Sequence, residues 1–122
     1  MMTITPIALV RNNIEDIHFH EWFDTISEIK MQDLFDPHYL DPLQGASQIQ
    51  VIFSFHRADK FSFSNNPKTV FAHRKAPRPN NLAVSIVKLV RVSHNCLVVK
   101  GLDAINGTPV FDIKPFSEYD LP

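Results

Sequence analysis

The stretch Q48-I-Q-V-I-F-S-F-H-R57 decides how the rest of this 122-residue chain is read. Ile49, Val51, Phe53 and Phe55 alternate with Gln48, Gln50, Ser54 and His56. Successive side chains of an extended strand point to opposite faces, so one face here is apolar and the other semi-polar. The same texture continues in both directions. A83-V-S-I-V-K-L-V-R-V92 and C96-L-V-V-K100 are β-branched runs separated by Ser93-His94-Asn95, which reads as a hairpin. Thr3 to Val10, Thr25 to Gln32, Thr69 to His73 and Val110 to Lys114 supply further short strands. Helix is confined to two candidates, Ile14 to Phe23 and the proline-bounded Pro37 to Leu43. This pattern predicts a mainly β fold, a small single-domain β-barrel of about six to seven strands with one or two short helices.

The length suits one hydrophobic core, so residues 1–122 are expected to form a single domain. A hydrophobic content of 44% with 20% charged residues is that of an ordinary globular chain and argues against bulk disorder. The net charge of -1 makes no global case for a nucleic-acid partner. Arg74, Lys75 and Arg78 do cluster, with Lys88, Arg91 and Lys100 following, and form either a local binding patch or a solvated basic face. The single Cys96 forms no internal disulfide and, in the run C-L-V-V, reads as a buried small hydrophobe in a reducing compartment. The opening I-T-P-I-A-L-V run is too short and interrupted to span a bilayer and follows no positive segment, so a cytoplasmic protein without a membrane partner is expected.

Most sequence signatures of chemistry do not occur. His18 and His20 would share a side of an extended segment, yet no third ligand stands at a recognisable spacing, so no metal is expected. No G-x-S-x-G elbow, G-x-G-x-x-G or Walker loop occurs. Phe53, Phe55, Phe61 and Phe63 alternate as core residues do, although such rings can also stack on bases. G101-L-D-A-I-N-G-T-P-V-F-D-I-K-P-F116 is different, because it spends two of the chain's three glycines in one place. Asn106-Gly107 supplies a left-handed turn and Pro109 stiffens the chain into the next strand. Asp103 and Asp112 flank that turn with Lys114 beside them, which looks more like a site than a pair of turn caps.

This segment resembles the G-L-D-A-L-D-G-T-P-V-L-D-I-K-P-Y signature of the TsaA-like family, the small β-barrel S-adenosylmethionine-dependent tRNA methyltransferases. F71-A-H-R-K-A-P-R-P-N-N-L-A-V-S85 is similar to the same family's F-A-T-R-S-P-x-R-P-N-P-I-G-L-S signature. I4-T-P-I-A-L-V-R11 resembles its first strand, and V51-I-F-S-F-H-R-A-D59 its strand ending in His-Arg. The resemblance implies a compact barrel, a homodimer with S-adenosylmethionine bound close to the subunit interface, and methyl transfer to N6 of the threonylcarbamoyl-modified adenosine beside the tRNA anticodon. A surplus of ten phenylalanines also suits a covered apolar surface.

Carried over by position, the resemblance implies cofactor contacts from His56, Arg57, Asn80, Asp103, Gly107, Thr108, Pro109 and Lys114. Arg74, Lys75 and Arg78 fall to RNA, as suits cations facing phosphates. Asp112, with Asp103 as the other candidate, would accept the proton that the adenine amine loses. The chain departs from the first signature at His73, Lys75, Ala76, Asn81 and Ala83, and from the second at Asn106 and Phe116. I14-E-D-I-H-F-H-E-W-F23 is shorter than its counterpart in many relatives and lacks their Pro-Arg-Gln element, and Gln48 replaces the His of a Gly-Phe-Ser-His turn. These changes leave two alternatives, a cofactor- or RNA-binding paralogue without the activity, or a methyltransferase for another substrate.

Overall fold

The computed structural model describes residues 2–62, 64 and 68–122. Six strands form a closed antiparallel barrel: β1 Ala8–Arg11, β2 Ile26–Met31, β3 Gln48–Ser54, β4 Leu82–Val92, β5 Cys96–Lys100 and β6 Pro109–Pro115. Around the barrel the order is β1-β2-β5-β4-β3-β6, with β6 pairing back to β1. The alternation of β3 survives intact. Ile49, Val51 and Phe53 are buried while Gln48, Gln50, Ile52 and Ser54 face outward. Val10, Ile29, Val87, Leu97, Val99 and Val110 join them in the core, each side chain worth about 1.5–3 kcal/mol when fully buried. Two strands are bulged, β4 between Leu89 and Arg91 and β6 where Asp112 pairs with Ile52 but Val110 with Phe53. Such bulges give short strands the bend that closure needs.

Antiparallel closure sorts the connections. The β2–β3 segment and the β4–β5 hairpin lie at one end, where the 3₁₀ helix Pro37–Leu43 buries Leu40 against the core. The β1–β2, β3–β4 and β5–β6 connections all leave from the other end. Among the described residues no helix is long and apolar enough to cross a membrane.

Four expectations are corrected. Ile14–Phe23 is not helical but a chain of turns. Asn106 N–H takes the Ile14 carbonyl at 2.8 Å and Arg57 the Glu15 carbonyl at 2.9 Å, acceptors that a helix would use for itself. Residues 69–73 form no strand; Val70–Ala72 is a 3₁₀ turn, since a closed barrel has no edge left for another strand. Registered pairing in β1 starts at Ala8, with Ile7 adding a backbone bond to Val110 at 2.8 Å and one from Gln32 at 2.9 Å, so Thr3 to Pro6 lie outside the strand. Cys96 is half-buried, its thiol pointing outward to Glu28 at 3.8 Å, and desolvation pushes its pKa up. Phe63 lies outside the described residues.

Inward and outward positions of β3 therefore differ sharply in energetic weight. In urea denaturation, Ile49→Ala should cost about 2–5 kcal/mol by leaving a cavity, whereas Gln50→Ala should stay within about 0.5 kcal/mol.

Candidate active site at the barrel mouth

At the end where three connections converge, a cavity of about 820 Å³ opens between them. The end of β3 and the residues after it, Phe53 to Asp59, form one wall, and Leu82 to Val84 of β4 form the adjacent one. The first motif contributes residues 73–78, the second Asp103, Ala104, Ile105 and Thr108, and the β1–β2 segment Ile17, His18 and Trp22.

The second motif reaches the mouth because its turn is stitched to β1. Gly107 N–H donates to the Val10 carbonyl at 2.8 Å and Val10 N–H to the Thr108 carbonyl at 2.9 Å. Gly107 has φ +84°, a left-handed conformation that glycine adopts without strain, and a Cβ there would stand 4.0 Å from His56 Nε2. Thr108 is buried and its hydroxyl donates to the Ile105 carbonyl at 2.7 Å. Asn12 ties the same region to β2, donating to the Ser27 hydroxyl and to the Ala104 carbonyl, both at 2.9 Å.

Asp103 stands in the mouth. It keeps contact with solvent, but the protein around its carboxylate desolvates it and raises its pKa; its own backbone N–H, Ser85 and Arg74 pull the other way. His56 is shifted downward, by desolvation and then by neighbouring Arg57, which favours the neutral form of its imidazole. Arg57, Arg74, Lys75 and Arg78 make the rim cationic. Arg74 donates to the Val84 carbonyl at 2.6 Å, and Arg78 reaches back to the His73 carbonyl at 2.8 Å, so both guanidiniums also brace the loop that carries them.

The cavity thus brings together His56, Arg57, Asp103, Thr108 and the three RNA-assigned cations. It does not bring in Asn80, Gly107, Pro109, Lys114 or Asp112. Asp112 pairs with Ile52 and Lys114 with Gln50, so both stand on the outer face of the barrel, where they form an ion pair at 2.7 Å.

Three contributors were not legible as site residues. Trp22 and Glu15 sit in the segment expected to be helical. Asn81 is the third: at φ +48° it occupies the left-handed region that Asn tolerates. Its side chain accepts from Arg78 N–H at 2.6 Å and donates to the Asp59 carbonyl at 3.2 Å, clamping the first motif to the end of the β3 wall.

Residues 21–120 match the family described as the tRNA-methyltransferase O N-terminal domain. The chain belongs to that family. It is 37% identical over 95 residues to the human tRNA (adenine(37)-N6)-methyltransferase, an alignment covering 70% of this chain and 22% of that protein. A Rhizobium radiobacter relative named "Probable S-adenosyl-L-methionine-binding protein VirR" is 35% identical over 89 residues, covering 68% of this chain and 51% of its own. The crystal structure of TrmO from Pseudomonas aeruginosa superposes with a TM-score of 0.83 at 27% identity, covering 99% of this chain and 58% of that one. The match to the human protein thus takes in about a fifth of its length, and that to the bacterial structure somewhat more than half.

Within this tRNA-methyltransferase O domain, the left-handed backbone at Asn81 makes it a sensitive position. Asn81→Pro should destabilise the fold by about 3 kcal/mol or more, because proline is locked near φ -65° and lacks an N–H; here that N–H donates to the Arg78 carbonyl at 3.0 Å. Thermal melts check this: Asn81→Gly, which keeps the left-handed backbone, should cost clearly less than Asn81→Pro.

Proposed function

We propose that this chain binds S-adenosylmethionine in the mouth cavity and acts as a tRNA methyltransferase on N6 of an adenosine, specifically the threonylcarbamoyl-modified adenosine beside the anticodon. The observation that carries this reading is the position of Asp103, a carboxylate with a raised pKa in a cavity whose rim is cationic. The cavity falls within the range of about 300–1,000 Å³ that takes small ligands. Its wall combines apolar surface from Phe53, Leu82 and Ile105 with polar groups from His56, Arg57 and Thr108, which suits a nucleoside carrying an amino-acid tail. The cofactor supplies an electrophilic methyl group on a sulfonium centre.

The residues then divide the work. An exocyclic adenine amine is a weak nucleophile and must lose a proton as its nitrogen is alkylated. Asp103 accepts that proton; desolvation raises its pKa and so makes it a stronger base than an ordinary aspartate. His56 and Thr108 orient the cofactor, and Arg74, Lys75 and Arg78 meet RNA phosphates. Asp112, paired with Lys114 on the outer face, is assigned no proton to carry.

The chain works as a homodimer in this reading. The outer face of β4 leaves Val84, Ile86 and Val90 exposed, and Val84 pairs with Ile52 of β3. Leu82 and Val84 line the cavity as well, so a second copy seated there would abut the site. Ile86→Glu should convert a dimer into a monomer in light scattering at tens of micromolar, on the order expected for a stable interface. A wild-type monomer under those conditions would contradict the assembly.

Asp103→Asn should keep the fold and lower methyl transfer to tRNA by about 100-fold or more, whereas Asp112→Asn should retain most activity. In the wild type, activity should fall on acidification at a pH above the ordinary aspartate value of about 3.9, since the raised pKa makes protonation of the base set in earlier. The opposite ranking of the two variants would move the base to Asp112. Mass spectrometry of tRNA nucleosides from cells with and without the protein tests the acceptor; an unchanged N6-methyl fraction would sink the tRNA assignment.

A further inference from the structure

The β1–β2 connection crosses the cavity mouth as a strap fastened at both ends. At its start, Asn106 N–H donates to the Ile14 carbonyl. Glu15 is then held twice, its carbonyl by Arg57 at 2.9 Å and its carboxylate by Asn106 Nδ2 at 3.0 Å. At its end, Gly101 N–H donates to the Thr25 carbonyl at 3.0 Å and Lys100 faces Asp24 at 3.3 Å. Between these ties the hydrogen bonds are local: His18 N–H to the Asp16 carboxylate, Phe19 N–H to the Asp16 carbonyl, and Trp22 Nε1–H to the Phe19 carbonyl. The Phe19 ring packs edge-on with Trp22 at a centroid distance of 4.6 Å.

This arrangement sets what the strap presents to the cavity. Trp22 is the chain's one tryptophan, it lines the cavity, and its side chain is only half-buried. Its indole N–H is already satisfied inside the strap, so it offers the cavity an apolar aromatic ring braced by a second ring. A half-covered indole in the wall of a nucleoside-sized cavity is a stacking surface. We propose that Trp22 is a binding residue that stacks on a purine ring in this cavity, and that Glu15 and Asn106 are the positioning residues that hold it there. The proposal rests on the reading that the cavity takes adenosine-bearing ligands. Two purines meet that chemistry, the adenine of the cofactor and the adenine that accepts the methyl group.

The residue at position 106 supports the link. The Asn106 amide works in both directions, its oxygen accepting from Asn12 N–H at 3.2 Å and its nitrogen donating to Glu15. The aspartate of the family signature could do only the first, and would set a second carboxylate against Glu15.

Fluorescence of the single tryptophan, read beside calorimetry, tests the proposal. Wild-type protein is titrated first with S-adenosylhomocysteine and then, saturated with it, with an unmodified tRNA anticodon stem-loop. A change in Trp22 emission at the first step assigns the ring to the cofactor, and a change at the second assigns it to the acceptor; either supports stacking. For the ligand so assigned, Trp22→Ala should weaken binding about tenfold or more, in line with base–aromatic stacking, and Trp22→Phe should retain most of the affinity. Asn106→Asp should weaken the same ligand several-fold. Asn106→Asp with Glu15→Gln should restore it, because donor and acceptor exchange sides. Calorimetric binding with neither a change in emission nor a loss of affinity in Trp22→Ala overturns the stacking role, and a double variant no better than Asn106→Asp overturns the positioning role. If calorimetry registers neither ligand on wild-type protein, the reading of the cavity falls, and the stacking role with it. Circular dichroism of each variant separates these results from misfolding.

Discussion

The seam between β1 and β6 has only two paired positions, Ala8 with Val110 and Leu9 with Pro109, and the site depends on it. Without that seam the six strands would be an open sheet with two exposed edges. With it, the glycine turn of the second motif is pulled against Val10, and Ile105 and Thr108 reach the wall of the cavity. Leu102, Ala104 and Ile105 are buried, so the segment between β5 and β6 is packed rather than loose. Asp103 is carried between these buried residues, so packing of the backbone on either side sets where its exposed side chain leaves the chain.

Closure also separates the molecule's charges by location. Four cations of the rim surround the same mouth that holds Asp103, yet Asp103 is shifted upward, so desolvation outweighs the attraction of Arg74. The two arginines of the first motif spend part of their hydrogen-bonding capacity on backbone carbonyls of their own region. A guanidinium has five N–H donors, so bracing the loop and meeting a phosphate are compatible tasks. The net charge of -1 conceals this patch because acids elsewhere on the chain balance it.

The barrel was legible because its strands bury one face each, and period-two alternation is the direct record of that burial. β5 was read with its observed limits, Cys96–Lys100, and β3 with its inward side correctly assigned. The Ile14–Phe23 stretch misled because its apolar residues recur at helical spacing, yet they do not share a core: Phe23 is 86% exposed and Ile17 53%. What orders that stretch is a set of contacts from Arg57 and Asn106, more than 40 and 90 positions away along the chain, and local pattern holds no trace of them. The face of Asp112 was also legible, since it opposes inward-facing Ile113. What the pattern could not show is that the outward face of β6 looks away from the cavity, whereas Asp103, outside any strand, looks into it.

The positions at which the sequence reading set this chain apart from the resembled signatures fall mostly in one region of the fold. His73, Lys75 and Ala76 lie in the cavity's first-motif wall, Asn81 at the turn behind it, and Asn106 under the strap. Ala83 lies within β4, half-buried and packed against the core, yet it too lines the cavity, where its methyl group takes space that a glycine would leave open. The inward positions at the far end of the barrel carry none of these changes. Asn81 and Asn106 moreover form compensating contacts that a proline or an aspartate could not make. Gln48 and Phe116 lie instead at the far end, where Phe116 N–H donates to the Gln48 carbonyl at 3.2 Å, so the positions at the mouth reshape the cavity wall while the closing seam and the core stay intact.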